Sequence, residues 1–284
     1  MLSTRLHPGT ARMRSFLRGL LAAVAMVLPA AAAAQGAGGA KQAAHGKTEV
    51  TWWGHAAFLI RTPGGTVLAV DPWLSNPKSP DKELAGKLDK VDWILVTHGH
   101  FDHVGDAVAI ARKTGAKLIS SFDLGKALVA EGFPKEQAGF DSQGNVGGEI
   151  QAGDATVFIV PAVHSSDVAG DAGARPGGTP VGFVIRIAGG PTLYHTGDTD
   201  VFGDMRLIPE RYGAVDLMLA CIGGHFTMDP KGAALAAGYV QAKAVVPMHY
   251  GTFAVLPGTP KELEAALKGR SRVVNLEPGK PATF

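Results

Sequence analysis

The chain has 284 residues, 46% of them hydrophobic and 18% charged. That excludes a disordered chain, whose weak hydrophobicity could not offset the entropy of ordering. One cysteine excludes an internal disulfide framework and a cysteine-only metal site. The net charge of +2 belongs to the start of the chain. Taking Arg5, Arg12, Arg14 and Arg18 from the 27 basic residues leaves 23 against 25 acidic ones, so no nucleic-acid partner is expected.

Those arginines precede an apolar run, Leu20 to Leu28, which ends in Pro29 and five alanines. A basic segment, a short apolar core and an A-x-A end describe a secretory signal peptide over 1–34, with cleavage after Ala34. The run is short for a membrane span, which needs about 20 apolar residues; a retained N-terminal anchor is the alternative. The expectation is an exported protein, periplasmic or secreted, with no membrane span once the signal is removed. Residues 35–47 read as a flexible Gly/Ala/Lys linker, and 48–284 as the folded domain.

Glu49 to Trp53 and Ala57 to Arg61 read as strands joined at Gly54. After the turn Pro63-Gly64-Gly65, Val67 to Val70 is a third. The run Trp93 to Thr97 has the continuous apolar character of a strand buried on both faces. A helix follows His103, with Val104, Val108 and Ala111 on one face and Gly115 at its end. Lys117 to Ser120 is a strand, Leu124 to Glu131 a helix, and Thr156 to Val163 a strong strand. The loop from Asp167 to Pro180 is long for a structureless connection and reads as a mobile lid. Val181 to Ala188 and Thr192 to His195 form a hairpin, and Val215 to Ile222 another buried strand. Asp229 caps a helix from Pro230 to Val240. Ala244 to Pro247, a helix from Pro260 to Leu267, and Val273 to Leu276 complete the chain. This order predicts an α/β sandwich of sheets flanked by helices.

The segment His98-Gly99-His100-Phe101-Asp102-His103 follows a buried strand directly. Imidazole nitrogens and a carboxylate oxygen are the donors that catalytic zinc sites use. Glycine at 99 would let the backbone turn so that both flanking histidines point one way.

This H-x-H-x-D-H pattern resembles the metallo-β-lactamase fold superfamily, and further stations of that pattern appear in order. Asp71 follows one strand and His164 another. Asp198 lies in the turn Thr196-Gly197-Asp198-Thr199, and His249 follows a late strand. W-G-H-A-A-F at 53–58, I-G-G-H-F-T-M at 222–228 and P-M-H-Y-G-T-F at 247–253 are similar to one branch. It is the metal-dependent hydrolases related to ascorbate-6-phosphate lactonase and N-acylphosphatidylethanolamine phospholipase D. The resemblance implies a four-layer αββα sandwich and a binuclear centre. His98, His100 and His164 would hold one divalent metal ion, Asp102, His103 and His249 the other, and Asp198 would bridge them. Zn is the first expectation, with Mn or Fe accepted by the same donors. A metal-bridging hydroxide would attack an ester, lactone or phosphodiester of a small-molecule or lipid substrate. A non-catalytic metal- or ligand-binding module and a mononuclear iron dioxygenase are the alternatives on the same fold.

Around these ligands, Asp102 could also orient the nucleophile or shuttle its proton, and His225 reads as a general acid or substrate contact. Asp71 is the expected acceptor behind a ligand histidine, with a turn residue before Pro72 as the alternative. His55, His195 and Tyr250 are expected close to the site, each with a purely structural role as the alternative. The four tryptophans read as core, and Cys221 as a buried small hydrophobe.

Overall fold

Alternation along the first strands decides which way each side chain faces. The strands β1 (Glu49–Trp52), β2 (Phe58–Arg61) and β3 (Val67–Val70) form an antiparallel run. Val50, Trp52, Phe58, Ile60, Leu68 and Val70 join a core shared with a second sheet. Ala57, Leu59, Val67 and Ala69 point the other way, into a core that helices cover. This is the period-2 geometry of a strand buried on both faces. The computed structural model describes residues 47–170 and 173–284; the expected signal peptide (1–34) and all but the last residue of the expected linker lie outside the described residues.

The chain continues through α1 (Leu84–Lys87), β4 (Trp93–Leu95), α2 (Phe101–Val104), α3 (Ala107–Thr114), β5 (Lys117–Ser121), α4 (Phe122–Ala130) and β6 (Gln143–Gly144). The middle of the chain supplies β7 (Glu149–Ala152), β8 (Ala155–Pro161), β9 (Asp167–Val168), β10 (Arg175–Pro176), β11 (Val181–Ile187) and β12 (Thr192–His195). The last third is α5 (Leu207–Tyr212), β13 (Leu217–Cys221), α6 (Pro230–Tyr239), β14 (Ala244–Met248), α7 (Pro260–Leu267), β15 (Arg272–Val273) and β16 (Pro281–Thr283).

Two seven-stranded sheets result, in the orders β16-β1-β2-β3-β4-β5-β6 and β15-β14-β13-β12-β11-β8-β7. Each sheet is half antiparallel and half parallel. In the first, β3 is the strand where pairing changes sense; in the second it is β12. Ala107, Ile110, Leu124 and Leu128 cover the outer face of the first sheet. Ala233, Ala237, Leu263 and Leu267 pack into the core that contains the second. The layers are therefore helix, sheet, sheet, helix, as expected. The parallel halves matter for chemistry, because loops at the carboxyl ends of parallel strands are where such sheets place ligand-binding groups. Asp71 follows β3, His98 follows β4, Asp198 follows β12 and His249 follows β14 directly.

Several elements depart from the sequence reading. The single helix expected after His103 is broken. Gly105 (φ +40°) ends α2, and a Cβ there would lie 2.4 Å from the Cα of Trp73. The first turn of α2 thus carries Asp102 and His103 before the chain bends into α3. Gly99 lacks the positive φ that a sharp turn would need. Its small size matters instead because a Cβ would come 2.5 Å from the Asp167 carbonyl oxygen. The segment expected as a lid contains a short ladder, β9 against β10. Val168 is buried in it, and Arg175 pairs with Glu131 just beyond α4. The strand expected at Val273 to Leu276 is Arg272–Val273, starting one residue and ending three residues earlier, although Val274 still donates to the Val245 carbonyl; β16 follows it as an unexpected last strand. Among the described residues, no helix is long and apolar enough to cross a membrane.

Candidate metal centre

The seven expected donors come from four separate places in the chain and meet at one edge of the sandwich. The donor atoms of His98, His100 and His164 lie within 4.8 Å of one another. So do those of Asp102, His103 and His249 together with His55, and those of His98, His103 and Asp198. Asp198 Oδ2 stands 2.9 Å from His249 Nε2, 3.3 Å from His103 Nε2 and 3.7 Å from His164 Nε2. Its carboxylate therefore faces members of both expected donor sets.

Hydrogen bonds behind the imidazoles fix which nitrogen points inward. Asp71 is fully buried; its Oδ1 accepts from the Thr97 backbone N–H, and its Oδ2 accepts from Thr97 Oγ1 at 2.8 Å. His103 Nδ1 lies 2.8 Å from the same Oδ2. A proton on that Nδ1 leaves Nε2 with its lone pair toward the centre. His98 Nδ1 is 3.0 Å from Thr97 Oγ1, whose own hydrogen is given to Asp71. His98 must then donate from Nδ1, and its Nε2 is likewise free to ligate. His100 presents Nδ1 to the cluster, 2.9 Å from His98 Nε2, while its Nε2 lies 3.3 Å from Asp167 Oδ1.

What remains after this pairing fits a cation. His103 Nε2, both ring nitrogens of His249, and Asp198 Oδ1 are buried and make no hydrogen bond. Buried polar atoms without partners are costly and rare in native proteins. Imidazole nitrogens and carboxylate oxygens are the donor set of borderline divalent metals.

Charge in the metal-free chain follows from the same packing. Burial alone would lower the pKa of His249, but the Asp198 and Asp102 carboxylates outweigh it and hold the ring near 9. Burial of His103 is likewise overcome by Asp198 and Asp71, which hold it well above the ordinary value. His98 goes the other way, lowered well below its ordinary value by burial and then by the charge of His103. At pH 7 His103 and His249 carry protons that neither can keep as a ligand. Metal uptake should release about two protons per chain, and affinity should climb as pH rises toward 9. Titration calorimetry in buffers of different ionisation enthalpy reads that number; uptake without proton release would contradict it.

The remaining candidates separate clearly. His55 bridges Thr252 Oγ1 through Nδ1 and Asp102 Oδ2 through Nε2, both at 2.9 Å. With both nitrogens occupied it braces Asp102 and does not add a ligand; burial and the charge of His249 lower its pKa to about 4. His195 is fully buried, with Nε2 3.0 Å from the Ala56 carbonyl and Nδ1 accepting from the Gly197 N–H. It pins the turn that carries Asp198. Tyr250 stacks on Trp52 at 5.8 Å and carries Lys78 over its ring; it is not among the side chains that line the cleft. His225 is exposed, edge-on to Phe226 at 4.4 Å, and it is Phe226 that lines the cleft. Trp73, expected in the core, is half-buried beside the site, edge-on to His55 and Phe101. Cys221 is buried as expected, and burial pushes its thiol up to about 11.

Backbone strain concentrates here too. Among the described residues six non-glycine residues have positive φ, and His55, Asp71, His225 and His249 are four of them. Such conformations persist where surrounding structure enforces them, often at functional sites.

Two mixed sheets between helices, with histidines and aspartates gathered at one sheet edge, define a metal-binding αββα sandwich. A family model described as the β-lactamase superfamily domain matches residues 66–250. A UPF0173 metal-dependent hydrolase of Anaeromyxobacter dehalogenans is 69% identical over 244 residues, 86% of this chain and 89% of that protein. One from Myxococcus xanthus is 48% identical over 94% of this chain and 98% of its own length. Among solved structures, Igni18, a metallo hydrolase from Ignicoccus hospitalis, aligns with a TM-score of 0.71 at 36% identity, covering 84% of this chain and 99% of that one. The chain belongs to the metallo-β-lactamase fold superfamily, among the UPF0173 metal-dependent hydrolases.

Proposed function

We propose that this protein is an exported hydrolase with two divalent cations, most readily Zn, acting on an ester, lactone or phosphodiester. The observation that carries the reading is the convergence of seven donor side chains on a buried point where four polar atoms make no hydrogen bond. His98, His100 and His164 would hold one cation, Asp102, His103 and His249 the other, and Asp198 both. Such cations lower the pKa of water and polarise a substrate carbonyl or phosphoryl oxygen. The chain's own part is positional. Asp71 and Thr97 hold two imidazoles in the ligating tautomer. His55 holds Asp102, and Asp102, at the cleft, is the carboxylate placed to take the proton of the attacking water. Export rests on the basic and apolar character of residues 1–34.

Elemental mass spectrometry of the purified protein, followed by an ester, lactone and phosphodiester panel, tests the reading. About two equivalents of Zn, Mn or Fe are expected, with turnover of at least one class. No metal after reconstitution would overturn it. The same panel tests His225. Because its ring lies outside the cleft, His225→Ala should hold kcat within about threefold, whereas a general acid would cost about a hundredfold or more.

A further inference from the structure

The cleft over the metal centre holds about 360 Å³. Its charged lining is unusual for a site that takes anions. Asp102, Asp167 and Asp198 line it, and among the described residues no lysine or arginine does. Recognition of a phosphate or carboxylate normally uses arginine forks or lysine ammonium groups. Three carboxylates already balance much of the charge that cations would bring, and among the described residues no lysine or arginine is left for a substrate anion.

The apolar part of the lining comes from Phe101, at the start of α2, and Phe226, on the loop between β13 and α6, with Ala169 on the β9–β10 hairpin. Both rings are far out of the core, 62% and 58% exposed. Phe101 is edge-on to Trp73, and Trp73 stacks on Phe253 at 6.1 Å, so the aromatic surface continues away from the cleft. Aromatic rings left in water beside a catalytic centre cost free energy that a bound apolar group recovers.

From the lining, we propose that the substrate is an uncharged ester or lactone with an apolar acyl chain laid against Phe101 and Phe226. Phe101 and Phe226 set chain-length preference, and the Asp167 carboxylate at the mouth repels an anionic chain end. The inference rests on the hydrolase reading above and narrows it, setting anionic phosphodiesters aside.

The test is binding, independent of turnover. Acetohydroxamate and octanohydroxamate share a metal-chelating head and differ by six methylenes. Each fully buried methylene is worth about fourfold in affinity, so half-burial of the chain predicts about fiftyfold tighter binding of the longer probe to the metal-loaded protein. Phe101→Ala and Phe226→Ala should each cut that ratio by about fivefold or more while leaving acetohydroxamate affinity in place. Phe140→Ala, at a ring 87% exposed elsewhere on the surface, should change neither value. An eight-carbon hydroxamate ending in a carboxylate should lose most of the gain. If acetohydroxamate binds but chain length makes no difference, or the ratio survives both substitutions, the apolar-chain proposal fails and the hydrolase reading stands. If neither hydroxamate binds, the metal reading fails and this proposal falls with it.

Discussion

Replacing Asp198 by alanine should strip the centre of metal and cut kcat/KM by about a thousandfold or more. No other carboxylate faces His103, His164 and His249 together among the described residues. Without its charge the two expected cations would repel at short range with nothing between them, and His103 and His249 would lose the field that orients them. The fold should survive. Asp198 Oδ1 is buried without a partner, so its removal relieves an unsatisfied group as well as breaking contacts. His195 keeps the turn in place through Ala56 and Gly197. The metal-free variant should stay folded but melt below the metal-free parent, because buried His249 and His103 lose the carboxylate that holds them protonated. Metal content by elemental analysis and turnover on the most active substrate provide the readings. A variant that keeps both metals and full rate would sink the assignment of Asp198 to the centre.

The donors were legible because chemistry and position coincided. Histidine and aspartate directly after an apolar run are unusual in sequence, and parallel strands end at the same edge of a sheet. Thr97, Thr252 and the brace on Asp102 were not legible. His55 touches Asp102 from 47 positions away and Thr252 from 197, and nothing local in W-G-H-A-A-F dictates that contact. His225 misled for a related reason: a loop at the right edge does not fix which of two neighbouring rings turns inward, and it is Phe226 that does. The break at Gly105 was hidden because the apolar spacing of Val104, Val108 and Ala111 continues through it, whereas the kink answers to Trp73 packed against its Cα. Edge strand β16 carries no alternating pattern at all; its residues Pro281–Thr283 are strand only because β1 offers them a free ladder. Helix α7 was the reverse case. Thr259 and Glu262 form a capping box around Pro260, a signal complete within four residues.

The Asp71→Asn variant separates the position of a ligand from its presence. Asparagine matches aspartate in shape and tolerates the left-handed backbone that Asp71 adopts at φ 43°. Its oxygen can still accept from the Thr97 N–H, but its amide nitrogen then stands where Oδ2 now accepts from Thr97 Oγ1 and His103 Nδ1. A donor there opposes the proton on His103 Nδ1 and drives that ring to the other tautomer, with hydrogen on Nε2 and no lone pair for a metal. The hydroxyl of Thr97 loses its acceptor as well, and with it the orientation of His98. Metal affinity should fall by about 10–100-fold, the usual cost of losing a group behind a ligand, although every ligand is still present. Asp71→Ala should do more damage. It leaves the Thr97 N–H and His103 Nδ1 without a partner in a fully buried site, at about 3–5 kcal/mol. Competition with a chelator of known affinity and urea unfolding of the metal-free proteins distinguish the two. The asparagine variant should lose affinity with little change in stability, and the alanine variant should lose both. Equal metal affinity in Asp71→Asn and the parent would show that His103 keeps its tautomer without Asp71, and the argument from hydrogen bonding behind the ligands would fail.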